Sequence, residues 1–197
     1  MKKPVVFGFY GESNTGKTSL VVKIIKKLKS DGYKIAAVKI TDKKIGMDSK
    51  GKDTWKYSQA GSKLTVLSSK IETDFIVKEN KEIDEIIRCI NTLGYYDVIL
   101  VEGAHDKNIP KIRLGNIKER ENTILSYTGN FDNLIKNIKK EIAKKEHRKK
   151  ENLVIKVNGK KVPLTEFPSE FIKNTIVGML RSLRGVDEEI ENVEITF

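Results

Sequence analysis

The chain has 197 residues, 38% hydrophobic and 33% charged, with a formal net charge of +11 and a sequence pI near 9.5, which suits one well-buried soluble domain with room for a small second module. No apolar run reaches the roughly 18 residues that span a bilayer, and Met1-Lys2-Lys3-Pro4 leads into only a short apolar stretch, so neither a membrane span nor a secretory leader is expected. Cys89 is the single cysteine; a disulfide framework within the chain is excluded and a reducing cytoplasm is the expected location.

In chain order, Pro4–Gly11 (PVVFGFYG) reads as a buried strand, apolar and β-branched and ending in glycine. The next run, KTSLVVKIIKKLKSDG, places Val21, Ile24, Ile25 and Leu28 on one helical face. Lys26, Lys27 and Lys29 lie near its negative end and Gly32 is set to close it. Lys34–Thr41 is a second strand. From Asp42 to Asp53 the chain is polar and glycine-bearing, as in a mobile or ligand-responsive loop. TWKYSQAG predicts a short helix, KLTVLSS and TDFIVKE two strands, and KEIDEIIRCINTL a helix closed by Gly94, with Cys89 as a small core residue. YDVILVEG, IPKIRLG and NTILSYTG are further strands, and FDNLIKNIKKEIAKKEHRKK is a long helix whose apolar stripe fades after Ala143. Strands alternating with helices predict an α/β fold with a mostly parallel sheet covered by helices. The polar end of the long helix marks a boundary, giving a domain over 1–150 and a small ββαβ C-terminal module over 151–197. That module comprises a hairpin turned at Asn158-Gly159, a helix with Ser169 as candidate cap, and a closing strand EIENVEITF.

Gly11, Glu12, Ser13, Asn14, Thr15, Gly16, Lys17 and Thr18, followed by Ser19, fit G-x-x-x-x-G-K-[ST] between a predicted strand and a predicted helix. In that setting backbone N–H groups and the positive helix end wrap phosphate oxygens, and side chains would obstruct the approach. Lys17 adds positive charge against the terminal phosphates and Thr18 offers its hydroxyl to Mg²⁺. A companion acid is expected at the end of a neighbouring strand, and Glu102 fits, after VILV and before Gly103. Asp97 begins the same strand, roughly 16 Å away at strand rise, and falls outside the site. Asp42, just past the second strand, is a further metal or water-positioning candidate.

Taken as a set, GESNTGKTSL, AAVKITD, GKDTWKYSQAGS, YDVILVEG and IPKI, spread from Val5 to about Tyr127, resemble the molybdopterin-guanine dinucleotide biosynthesis protein B family, small P-loop proteins of the GTP-binding class. The sequence departs from the family where Ile40, Thr41 and Asp42 replace a histidine-bearing stretch and where Ala104 and His105 follow the VEG triplet. The resemblance implies GTP with Mg²⁺ at Gly11–Thr18, catalytic roles for Lys17 and Glu102, and metal contacts from Thr18 and Glu102. Lys52, Asp53 and Lys111 would face the ligand. The implied role is an adapter with weak GTPase activity that helps form or deliver the molybdopterin guanine dinucleotide. Its implied partners are molybdopterin or the dinucleotide, a guanylyltransferase protein and a second copy of itself.

Guanine selection rests on the resemblance, since no guanine-reading motif of the NKxD type is present. No arginine stands in or beside the loop in the sequence, which points to slow or partner-stimulated hydrolysis. The alternatives are a small-molecule kinase using ATP and a basic nucleic-acid-binding module. The stretch from Asp42 to Ala60 carries five lysines and no arginine, unlike a kinase lid. Arginines number six within the 38 basic residues, whereas base readout favours arginine, so nucleic acid is not the expected partner.

Overall fold

The computed structural model describes residues 4–150, 153–185, 190 and 193. Five strands, β1 (Val5–Tyr10), β2 (Ile35–Lys39), β5 (Val98–Glu102), β6 (Lys111–Leu114) and β7 (Thr123–Tyr127), form one sheet in the order β2-β5-β1-β6-β7. Every pairing in it is parallel. The α/β class with a mostly parallel sheet, read from the alternation of elements, is what the fold has. β3 (Leu64–Ser68) and β4 (Thr73–Val77) pair antiparallel outside this sheet. α2 (Asp53–Gln59) precedes them.

The sheet is covered on both faces, as its continuous apolar strands require. Val98, Ile99, Leu100 and Val101 are all buried. On one face Ile99, Val101, Ala104 and Ile109 form a cluster with Ile83, Ile86, Ile87 and Ile90 of α3 (Ile83–Leu93). Phe7 and Phe9 alternate to the other face, where α1 (Lys17–Ser30) buries Leu20, Val21, Ile24 and Leu28. α1 ends as its sequence dictates: Gly32 adopts φ +88°, and the Tyr33 N–H returns to the Leu28 carbonyl at 3.1 Å.

Cys89 is exposed, contrary to the expectation of a core residue. Buried Ile83 and partly buried Ile86, Ile87 and Ile90 define the packed stripe of α3, and at 100° per residue Cys89 sits about 110° from its centre.

The chain divides into two compact units, Met1–Asn137 and Ile138–Phe197, and the division falls within α4 (Phe131–Lys150). The second unit holds the antiparallel pair β8 (Ile155–Val157) and β9 (Lys160–Val162), turned at Asn158-Gly159, and helix α5 (Glu166–Arg181). Thr165 rather than Ser169 stands at the N-cap position of α5, without a side-chain capping bond, because Pro168 is accommodated within the first helical turn, where its missing N–H costs nothing. The predicted closing strand falls on residues 189–197, of which 190 and 193 alone are described. Among the described residues no helix is long and apolar enough to cross a membrane.

Candidate functional site

The loop from Gly11 to Gly16 joins the carboxyl end of β1, the central strand, to the first turn of α1. Ligands of open parallel sheets bind at this edge. Gly16 has φ +82°, and a Cβ built there meets nothing within 4 Å, so glycine is needed for its backbone conformation. Gly11 is needed for closeness: its Cβ would lie 2.5 Å from the Leu114 carbonyl oxygen. The Thr15 hydroxyl donates to the Glu12 carbonyl at 2.8 Å and braces the loop.

The first intrahelical bond of α1 runs from the Leu20 N–H to the Gly16 carbonyl at 2.9 Å. The amides of Lys17, Thr18 and Ser19 come before it and have no partner within the helix. No side chain caps this end and no acid stands in the first turn, which leaves the positive end of the helix dipole uncompensated by the protein. The Lys17 ammonium bends over the loop and donates to the carbonyls of Gly11, at 3.0 Å, and Glu12.

Glu102 ends β5 with its side chain 12% exposed. The Thr18 hydroxyl donates to its Oε1 at 2.8 Å and lies 3.0 Å from Oε2. Strand register sets Lys39 of β2 directly beside Glu102, and the Lys39 Nζ is 3.3 Å from Oε1. The backbone on either side is fixed. The Ile40 N–H donates to the Glu102 carbonyl and the Gly103 N–H to the Phe9 carbonyl, both at 2.8 Å. Gly103 has φ +85°, and a Cβ there would lie 2.4 Å from the Ile40 carbonyl oxygen. Glycine after the acid is therefore required where β1, β2 and β5 end together.

The structure thus brings Lys17, Thr18 and Glu102 to one place, and adds Lys39, which the sequence reading did not single out. The available signal is its position at the end of AAVK, a strand that the structure sets next to the one ending in Glu102. Asp97 lies at the opposite end of β5, accepting from the Lys34 N–H at 2.8 Å. Asp42 is exposed in the segment that follows β2. Lys52 caps α2 and Asp53 opens it, paired with Lys56 at 3.0 Å. Their loop is tied at Asp48, whose side chain is 4% exposed, accepts from the Thr54 hydroxyl at 2.9 Å and pairs with Lys78 at 3.4 Å. Among the described residues no hydrogen bond joins Lys52 or Asp53 to the glycine loop or to Glu102.

Lys111 departs most from its expected place. It is 1% exposed, and its ammonium donates to the carbonyls of Ile109 and Glu121, both at 2.8 Å. Burial holds its pKa below the ordinary lysine value, with Asp106 and Glu121 opposing the shift and Arg120 adding to it. It is an internal brace, not a cation offered to a ligand. Arg120 is similarly engaged, donating to the Ala104 carbonyl at 3.0 Å and lying 4.7 Å over the Tyr10 ring. Arg113 donates to the Ser126 hydroxyl at 3.0 Å and to the Ile117 carbonyl at 3.1 Å. His105 is exposed.

The oxygen pair of Thr18 and Glu102 suits Mg²⁺. The hydroxyl hydrogen is directed to the carboxylate, so the lone pairs of Oγ1 remain available to a hard cation. Among the described residues no group of three or more His, Cys, Asp or Glu side chains forms a metal cage. Mg²⁺ is commonly held in this way, by one or two protein oxygens together with waters and substrate phosphates.

Fold and loop together define a parallel α/β protein with a strand–glycine loop–helix unit at the carboxyl edge of its sheet. The family model described as Molybdopterin guanine dinucleotide synthesis protein B (MobB) matches residues 6–153, and the chain belongs to that family. A Methanocaldococcus jannaschii protein described as a putative molybdopterin-guanine dinucleotide biosynthesis adapter is 28% identical over 222 aligned positions, covering 92% of this chain and 93% of that one. A Haemophilus influenzae adapter of the same description is 30% identical over 55% of this chain and 62% of its own length. The crystal structure of Bacillus subtilis MobB superposes with a TM-score of 0.56 at 16% identity, covering 70% of this chain and 97% of that one, a likeness of fold.

Proposed function

We propose that this chain binds GTP with Mg²⁺ at Gly11–Thr18 and serves as an adapter in making or delivering the molybdopterin guanine dinucleotide. The observation that carries the reading is the uncapped, acid-free start of α1 behind Gly16, with Lys17 over the loop and Thr18 on Glu102. An array of unpaired amides with a lysine and a hydroxyl suits a polyphosphate. Lys17 would neutralise terminal phosphate charge, Thr18 and Glu102 would hold the metal side, and the metal would supply further charge neutralisation. The pathway and the guanine base follow from the family and from the descriptions of its relatives.

Hydrolysis is slow in this reading. Arg113 and Arg120 are both committed to backbone and side-chain partners, so an arginine stabilising the transition state would come from a partner chain. The nucleotide-binding domain is residues 1–150, with residues 151–197 as an appended module. The alignment to the M. jannaschii relative covers 92% of this chain, more than 150 of its 197 residues supply, so that relative shares part of the module. A cytoplasmic homodimer working with a guanylyltransferase completes the proposal. Calorimetry with GTP, GDP and ATP, with and without Mg²⁺, tests it. Native protein prefers GTP, and Lys17→Ala loses about 100-fold in affinity, the scale of one or two charge-assisted hydrogen bonds. Preference for ATP, or unchanged affinity in the variant, overturns the assignment.

A further inference from the structure

Lys39 and Thr18 converge on one atom, Oε1 of Glu102, at 3.3 and 2.8 Å. Glu102 is nearly enclosed, while the Lys39 side chain is 60% exposed. Its backbone is fixed by register between β2 and β5, and its head group rides on a flexible four-carbon stem. An ion pair with one partner so exposed contributes little to folding. Its position is what distinguishes it, because a cation bound beside Thr18 would meet the Lys39 charge on the same carboxylate oxygen.

We propose that Lys39 is a tethered cation that holds Glu102 against free divalent metal and moves to the terminal phosphate when metal arrives with a nucleoside triphosphate. The proposal rests on the nucleotide reading of Gly11–Thr18. Like charges compete for Oε1, so metal alone binds weakly. A triphosphate changes the balance by giving the Lys39 ammonium a second anionic partner beside Thr18. The site then takes metal and nucleotide together rather than metal first. Lys39 is a ligand-binding and positioning residue here, and its charge is what matters.

The test uses the full chain and two probes. With Mn²⁺ alone, followed by electron paramagnetic resonance, Lys39→Met binds the ion about five- to tenfold more tightly than native protein, the effect of removing one neighbouring charge, and Lys39→Arg behaves as native. With Mg²⁺ present, Lys39→Met loses about tenfold in affinity for GTP, as expected for one charge-assisted contact, and less than half of that, on a logarithmic scale, for GDP. Unchanged Mn²⁺ affinity, or equal losses for the two nucleotides, overturns the proposal. Failure of native protein to bind either nucleotide overturns the nucleotide reading instead, while the Mn²⁺ measurement still decides whether Lys39 competes for Glu102.

Discussion

Lys17 and Lys111 make the same hydrogen bonds in two different places. Each ammonium donates to two backbone carbonyls, Gly11 and Glu12 in one case and Ile109 and Glu121 in the other. Lys17 does so half-buried at the mouth of the glycine loop, whereas Lys111 is sealed inside the domain at 1% exposure. At the loop the carbonyl contacts are surrounded by unpaired amides and an uncapped helix end, so an anion can compete for the ammonium. Inside the domain the ammonium is closed off from dissolved anions, and it ties the Ile109 carbonyl before β6 to the Glu121 carbonyl before β7. Surroundings, not donor count, separate a lysine poised for a ligand from one that braces the fold.

The largest expected effect comes from truncating the buried partner in this comparison. Lys111→Ala leaves the Ile109 and Glu121 carbonyls without their donor and opens a cavity, at a cost of about 3–5 kcal/mol in unfolding free energy. Lys17→Ala, at the half-buried first position of α1, changes stability by less than about 1 kcal/mol while weakening nucleotide binding. Urea denaturation of the two variants beside native protein measures both. Equal stability losses would erase the distinction.

That contrast also shows what the sequence makes legible. The glycine loop is local: eight consecutive residues between an apolar strand and an amphipathic helix determine it, and the parallel sheet follows from element order. Glu102 is legible because it ends an apolar run. Lys39 escaped because its significance depends on register with a strand 63 residues away. The motif IPKI puts Lys111 at the ligand by position alone. Its burial depends instead on the segments around Ile109 and Glu121 folding over it, and nothing in IPKI encodes those contacts. Ser169 yielded to Thr165 because a proline at 168 reads equally well as preceding a helix or as lying within its first turn.

A smaller effect sharpens the comparison through pH. Burial lowers the Lys111 pKa in the folded protein from the ordinary 10.5. Between the folded and unfolded pKa values the unfolded chain carries more protons at this site, so stability rises with pH across that window. Below the window both states are protonated, and the cost of the buried charge is fully present. Lys111→Met lacks this component. Denaturation midpoints of native protein relative to Lys111→Met should therefore climb as the pH rises toward 10.5. A flat difference would mean that the buried amine keeps an ordinary pKa.

The smallest effect belongs to Cys89, and it separates burial by periodicity from burial by residue type. The α3 stripe of Ile83, Ile86, Ile87 and Ile90 packs on the sheet, and Cys89 projects off it. Its Cys89→Ser variant should change unfolding free energy by less than about 0.5 kcal/mol, as at exposed positions generally. Ile87→Ala, two positions earlier on the packed stripe, should cost about 2–4 kcal/mol. The native thiol should also react with an aromatic disulfide reagent at the rate of an unfolded control. A slow, unfolding-limited reaction would place the sulfur inside the core and turn α3 by about a third of a revolution relative to the sheet.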